Sequence, residues 1–192
     1  DIPAIKNANL KVVVDAVNST GGISVPQLLR KIGVTDIVEM YCDPTGHFPH
    51  NPEPLKEHLV ELSARVVSEG AHLGITVDPD VDRLALVNED GSMFGEEYTL
   101  VAVSEYILSK RKGATVSNLS STRALRDITE EVGCNYHASA VGEVNVVVKM
   151  KETNAVIGGE GNGGIIYPDL HYGRDSLVGI ALFLSHLAHK KM

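Results

Sequence analysis

The stretch Gly74–Gly91, GITVDPDVDRLALVNEDG, decides how the chain is read. It sets Asp78, Asp80 and Asp82 at alternate positions, with Pro79 and Arg83 among them, between two apolar, β-branched runs. An ordinary turn needs one or two Asp or Asn residues, not three. On an extended segment this spacing points all three carboxylates to one side. Carboxylates so close together push one another's pKa up unless a cation neutralises them. Hard oxygen donors with coordination positions left over suit Mg2+, which completes its shell with water and substrate phosphate oxygens. Pro79 removes a backbone donor, so the segment is no ordinary ladder strand. Arg83 then places a planar, permanently charged phosphate-binding group beside the metal. Metal plus arginine is a phosphoryl-transfer pairing.

Other readings compete. Asp78, Asp80, Asp82 and Glu89 match positions one, three, five and twelve of an EF-hand loop. That pattern fails at Arg83, where the sharp turn requires Gly, and in flanks that read as strands rather than helices. A solvated acidic turn and a structural Ca2+ site remain as rivals. The catalytic reading is preferred because such crowding between buried strands has no purpose without a bound cation.

Outward from this stretch, α and β signals alternate. Strands are expected at LKVVVDAV, TDIVEMY, AHLGITV and RLALVN, the last closed by a hairpin-type turn at NEDGS. A helix is expected in ISVPQLLRKIG, with Pro26 near its first turn, where a missing N–H does no harm. A second has its apolar stripe at Leu55, Leu59, Leu62 and Val66 and is closed by Gly70. Between them, CDPTGHFPHNPEPL is a proline-rich loop. After Ser92 the alternation restarts. Helices are expected near 97–111, 123–132, 143–151 and 175–190, with strands at ATVSNL, NYHA, AVIGG and within GEGNGGIIYP. The fold expected is α/β: two similar three-layer domains with mixed sheets, spanning residues 1–92 and 93–192.

Bulk properties agree. The 192 residues are 43% hydrophobic and 22% charged, as in a globular protein able to bury a good core. No apolar run of about 18 residues is present to span a membrane, and the N-terminus shows no signal-peptide pattern. The chain starts without Met and in mid-pattern, which suggests a piece of a longer protein. Cys42 and Cys134 are isolated, which fits a reducing, cytoplasmic setting, and the sequons at Asn18 and Asn118 are then read as chance. A net charge of −8 argues against a general nucleic-acid surface.

The segment GGEGNGG, Gly158–Gly164, contains G-x-G-x-x-G at Gly159, Gly161 and Gly164. A dinucleotide fingerprint must open a helix, whereas IIYPD here reads as a strand ending at Pro168. The glycines are read instead as letting the backbone approach a ligand.

Taken together, DPDVDR resembles the metal-binding loop of the α-D-phosphohexomutase superfamily, which comprises phosphoglucomutases, phosphomannomutases and phosphoglucosamine mutases. KVVVDAVNSTGG resembles the opening of that family's second domain, and FPHNPEP a loop that follows in it. GGEGNGG resembles the sugar-recognition loop of the third domain, with GRDSLVG after it. The resemblance implies the central two of four domains. The phosphorylated serine of domain 1 and the phosphate-binding loop of domain 4 would lie outside this chain, which alone would be inactive. It implies Mg2+ on Asp78, Asp80 and Asp82, with Arg83 bracing the phosphoryl group. It also implies a hexose phosphate held by Glu160 and Asn162, with Gly159 and Gly161 in the same loop. Glu160 is the best candidate because a carboxylate can accept from two adjacent hydroxyls.

Departures from the family pattern lie at Asn162, where many members have Ser, and at Ser120, where some have Lys. Glu143 stands where relatives carry His or Asp near the phosphosugar, so the resemblance makes it a catalytic candidate. A helix N-terminal carboxylate favoured by the dipole is the equal alternative. His47 and His50 are read as loop surface, lacking further ligands at metal spacing. Asp175 is read as a helix N-cap, and Arg174 as able to reach a phosphate. The class alternative to an enzyme is a non-catalytic metal- or sugar-phosphate-binding module.

Overall fold

The apolar runs form two four-stranded mixed sheets in a computed structural model that describes residues 1–190. The first holds β1 (Lys11–Asp15), β2 (Asp36–Met40), β3 (Leu73–Val77) and β4 (Leu84–Asn88), in the order β2-β1-β3-β4. The second holds β5 (Thr115–Asn118), β6 (Tyr136–Ser139), β7 (Ile157–Glu160) and β8 (Gly164–Ile166), in the order β6-β5-β7-β8. In each sheet the first three strands are parallel and the last is antiparallel. The helices are α1 (Ile2–Asn7), α2 (Gly21–Ile32), α3 (Val60–Glu69), α4 (Glu96–Lys110), α5 (Ala124–Glu131), α6 (Glu143–Thr153) and α7 (Ser176–His189). None of the described helices is long and apolar enough to cross a membrane.

Strand alternation makes the layers. On β1, Val12 and Val14 join a cluster with Val25 and Leu29 of α2, while Val13 joins Leu62 and Val66 of α3 on the opposite face. On β5, Val116 packs with Val146 and Met150 of α6. Ile157 and Ile165 of the second sheet lie in the larger cluster instead, which also takes in Val103 of α4, Ile180 of α7, and Leu84 and Leu86 of β4. The two sheets therefore share one continuous apolar core. Each fully buried Leu, Ile or Val in it contributes about 1.5–3 kcal/mol.

This topology locates the chemistry. β1 runs between β2 and β3, and β5 between β6 and β7, so each sheet reverses direction of winding at its first strand. Open α/β sheets bind ligands beyond the carboxyl ends of the strands at such a point. Asp15 and Asn118 end β1 and β5, Asp78 directly follows β3, and Glu160 ends β7.

Several local expectations change. The segment Ile2–Asn7 is helical, with Pro3 in its first turn and Ile5 buried. Helix α2 starts at Gly21, so Pro26 lies inside it rather than near its first turn. The early start follows from Gly21 and Gly22: a Cβ on Gly22 would sit 2.3 Å from the Cys42 carbonyl oxygen, so only glycine lets the helix begin there. The stripe opened by Leu55 runs through a 3-10 turn at Lys56–His58 before α3 begins at Val60. Gly70 closes α3 in the left-handed conformation, as read from the sequence.

His50 is not loop surface. Its Nε2 is 2.9 Å from Asp15 Oδ2 and its Nδ1 is 2.8 Å from the Asn51 carbonyl oxygen. A carbonyl only accepts, so Nδ1 carries hydrogen, and the bond to Asp15 needs one further proton, on ring or carboxyl. Asp15 also accepts from the Val17 N–H and is fully buried. The pair pins the proline-rich loop to the end of β1.

Burial pushes the Asp15 carboxyl above its usual range, against the pull of the Val17 N–H and of His50. A carboxyl raised in the folded state contributes stability that is whole below its unfolded value and lost as pH rises through its folded one. Asp15→Asn keeps the Val17 bond and can donate to His50. Urea unfolding is expected to find it at least as stable as wild type at neutral pH, with any advantage vanishing toward about pH 4. His50→Ala, which strands the buried carboxylate, is expected to lose about 1–3 kcal/mol in the same experiment.

Candidate active site

The three aspartates converge, but not along an extended strand. The Val81 N–H bonds the Asp78 carbonyl at 3.1 Å, and Val81 takes a left-handed φ of 64°. That conformation is costly for a β-branched residue, about 1–3 kcal/mol, and such strain clusters at ligand-binding sites. Asp78 Oδ1 accepts from the backbone N–H groups of Asp82 and Arg83, each at 3.0 Å, and so fastens the loop from inside. The outcome is the one the spacing implied: an oxygen from each of Asp78, Asp80 and Asp82 lies within 4.8 Å of the others. Tight turning, rather than strand pleating, achieves it.

The three differ in surroundings. Asp78 is buried, Asp82 half-buried and Asp80 exposed. Burial pushes Asp78 up, but the backbone and side-chain N–H groups of Arg83 outweigh it and hold that carboxyl below its usual range. For Asp82, burial and then the Asp78 charge win over the pull of Arg174, and its carboxyl is pushed up to about 6. A carboxylate offers about four lone-pair sites. Asp78 uses three of them internally, because Arg83 Nε also donates to Oδ2 at 2.8 Å. One site on Asp78, part of Asp82 and all of Asp80 are left for a hard cation, and this donor set fits Mg2+. Arg83 lies where expected, beside the triad, with Nη1 donating to Glu53 at 3.2 Å.

The glycine loop comes up against this loop from the second sheet. Residues Gly161–Gly163 connect β7 to β8 as a turn, and no helix opens there, which removes the dinucleotide reading. The Leu84 N–H donates to the Gly163 carbonyl at 3.2 Å. A Cβ on Gly163, whose φ is 86°, would lie 2.1 Å from the Leu84 carbonyl oxygen. On Gly159 a Cβ would lie 2.0 Å from the Gly164 carbonyl oxygen, and on Gly161 3.0 Å from Ser121 Cα. These glycines thus serve the approach of backbone to backbone.

Glu160 is only 4% exposed. Its Oε1 accepts from Asn118 Nδ2 at 2.8 Å and from the Gly142 N–H at 3.2 Å, and its Oε2 from Arg174 Nη1 at 3.0 Å. Three of its four lone-pair sites are filled, so it can accept from one hydroxyl as it stands. Asn162 is exposed, and its Oδ1 accepts from the Gly164 N–H at 3.2 Å. Glu143 opens α6, in the dipole-favoured position, and also joins the cluster: its Oε1 accepts from the Arg174 N–H at 3.0 Å. Ser120 donates to Asn118 at 3.1 Å.

Arg174 is the residue whose place the sequence did not disclose. Besides Glu160, its guanidinium donates through Nη2 to Asp82 Oδ2, and its Nε lies 3.6 Å from Glu143 Oε2. It ties the acidic loop of one sheet to the glycine loop of the other. The available signal was its position directly before Asp175, whose Oδ1 caps α7 by accepting from Leu177 and Val178, as expected. His171 steadies that cap through Nε2, 2.9 Å from Asp175 Oδ2. Asn118, read from the sequence only as a chance sequon, and Glu53, which carries no sequence signal of its own, also join the cluster.

Comparison with known proteins agrees with this arrangement. Residues 1–91 match the family model described as phosphoglucomutase/phosphomannomutase, alpha/beta/alpha domain II, and residues 95–192 match that for domain III. A phosphoglucomutase/phosphomannomutase of Thermococcus kodakarensis is 36% identical over 183 residues, covering 94% of this chain and 40% of that protein. A protein of Methanopyrus kandleri named "Probable phosphoglucosamine mutase" is 32% identical over 189 residues, covering 97% and 42%. The crystal structure of a phosphoglucomutase/phosphomannomutase family protein from Burkholderia thailandensis superposes with a TM-score of 0.87 at 30% identity, covering 98% of this chain and 43% of that one. The chain thus spans less than half the length of these relatives.

The seam between the loops can be probed without touching a carboxylate. Gly163→Ala meets both a left-handed φ and the Leu84 carbonyl, and is expected to cost about 2–4 kcal/mol in urea unfolding. Gly161→Ala, with its milder contact, is expected to cost clearly less.

Proposed function

The chain belongs to the phosphoglucomutase/phosphomannomutase family, and on that premise we propose that it is the central part of a Mg2+-dependent phosphohexomutase. Residues 1–92 would form the second domain and 93–192 the third. The observation that carries this reading is the convergence of Asp78, Asp80 and Asp82 within 4.8 Å, directly against the loop that bears Glu160. The substrate class proposed is a hexose phosphate of glucose, mannose or glucosamine, supported by the names of the relatives.

In the proposed reaction a phosphoserine outside this chain gives its phosphoryl group to one hydroxyl of the hexose phosphate. The bisphosphate turns over, and the other phosphate returns to the serine. Asp78, Asp80 and Asp82 would hold Mg2+, which supplies neutralisation of charge on the phosphoryl oxygens. Arg83, with Nε and Nη1 fixed by Asp78 and Glu53, keeps its remaining donors for the same group. Glu160 and Asn162 would take hydroxyls common to both orientations of the sugar, with Gly159 and Gly161 shaping their loop. Glu143, joined to Glu160 through Arg174, would face the phosphosugar. No Thr-Ala-Ser-His-Asn type segment occurs in residues 1–192, so this chain by itself is expected to be inactive. A cytoplasmic setting is proposed from the free thiols of Cys42 and Cys134.

The test is a mutase assay on the full-length protein with Mg2+, a hexose bisphosphate activator, and glucose, mannose or glucosamine 1-phosphate. Asp80 is exposed and makes no hydrogen bond within the described residues, so Asp80→Asn removes a cation ligand while sparing the fold. Turnover of at least one substrate, falling about 100-fold or more in Asp80→Asn, is expected. No turnover of any substrate, with Asp80→Asn indistinguishable from wild type, would leave a non-catalytic binding module in its place.

A further inference from the structure

We propose that Arg174 is a positioning residue that couples the two loops. It occupies Asp82 where a divalent cation would otherwise sit, and it yields that carboxylate when a cation enters, turning its guanidinium wholly to Glu143 and Glu160. The inference rests on the reading of the three aspartates as a cation site.

Four observations carry it. Arg174 Nη2 takes Asp82 Oδ2, one of the few oxygens of the triad not already tied to its own loop. A cation on the triad and a guanidinium on Asp82 would be like charges a few ångströms apart, and Asp82 cannot serve both fully. The side chain has somewhere to go. Among the described residues its buried Nε makes no hydrogen bond, and it faces Glu143 Oε2 at 3.6 Å, a gap that a small turn away from Asp82 would close into a bond. Finally, the pivot is built in. The stem of Arg174 lies over Gly164, where a Cβ would stand 2.4 Å from Arg174 Cδ. Its backbone N–H is held by Glu143, and the next two residues bond across to Ile165 and Val81. The anchored backbone lets only the guanidinium move.

In this account the occupancy of the acidic loop is read out at Glu160. With no cation, Arg174 divides its donors among Asp82, Glu143 and Glu160; with a cation, it belongs to the second sheet alone. The metal loop and the glycine loop are then one linked device, and the link is a single side chain.

The measurement is Mn2+ affinity of the 192-residue chain, read by the electron paramagnetic resonance of free Mn2+, with Asp80→Asn as the control for the site. Arg174→Gln removes the competing charge and is expected to tighten Mn2+ about tenfold or more. Arg174→Lys keeps a charge but loses the fork, and is expected to fall between. Glu160→Gln is expected to weaken Mn2+ severalfold in wild type, because Arg174 then leaves Asp82 less readily. In the Arg174→Gln background that effect should vanish, whereas a through-space effect of the Glu160 charge would persist. Circular dichroism melting checks that each variant is folded. Mn2+ binding that needs Asp80 but is equal or weaker in both Arg174 variants would overturn the coupling and leave the cation site standing. Failure of Mn2+ to bind, or binding indifferent to Asp80→Asn, would overturn both.

Discussion

Like charges held close must be balanced, and most of the structure around the two loops answers to that need. Asp78, Asp80 and Asp82 come within 4.8 Å of one another. Fixed positive charge and N–H groups converge on them from every side the protein controls. Arg83 grips Asp78 from within the loop, and Arg174 reaches Asp82 from across the molecule. Asp80 is the one of the three with no such partner among the described residues. The loop is fastened from within by the bonds of Asp78, and the second sheet adds the charge of Arg174 at Asp82. The shared apolar core is what brings that charge within reach. Leu84 and Leu86 of the first sheet and Ile165 of the second lie in the same cluster, so the halves cannot be drawn apart without exposing it.

That dependence explains why some of the molecule could be read from the chain and some could not. The strands were legible because three valines in succession on β1, and LGITV and LALV on the flanks of the acidic loop, leave little else for the backbone to do. Gly70 and Asp175 announced helix ends by mechanisms that are local and chemical. Helix α1 was not legible, since Ile2–Asn7 is too short to show a period. Nor was the start of α2, which is set by how closely the Cys42 backbone approaches Gly22.

The site divides in the same way. The spacing of the aspartates was enough to imply their convergence, though a strand was the wrong route to it. A left-handed valine at position 81 is a conformation that no propensity would assign. Arg174 was hidden because its partners, Asp82, Glu143 and Glu160, are scattered along the chain. His50 was hidden for the same reason: its partner Asp15 is far away in sequence. Contacts of this kind are decided by topology and not by neighbours.

The strand orders carry one more consequence. β2-β1-β3-β4 and β6-β5-β7-β8 are the same sheet twice, each ending in an antiparallel hairpin. The aspartate loop joins β3 to β4, and the glycine loop joins β7 to β8. They are thus the same connection in two copies of one scaffold, set face to face and filled with opposite materials: one crowded with charge, the other built mostly of glycine. A scaffold of this kind can acquire a two-part site by duplication, after which each copy of the hairpin is free to specialise. The difference between the two loops would then have required no new fold, only divergence at a single repeated address.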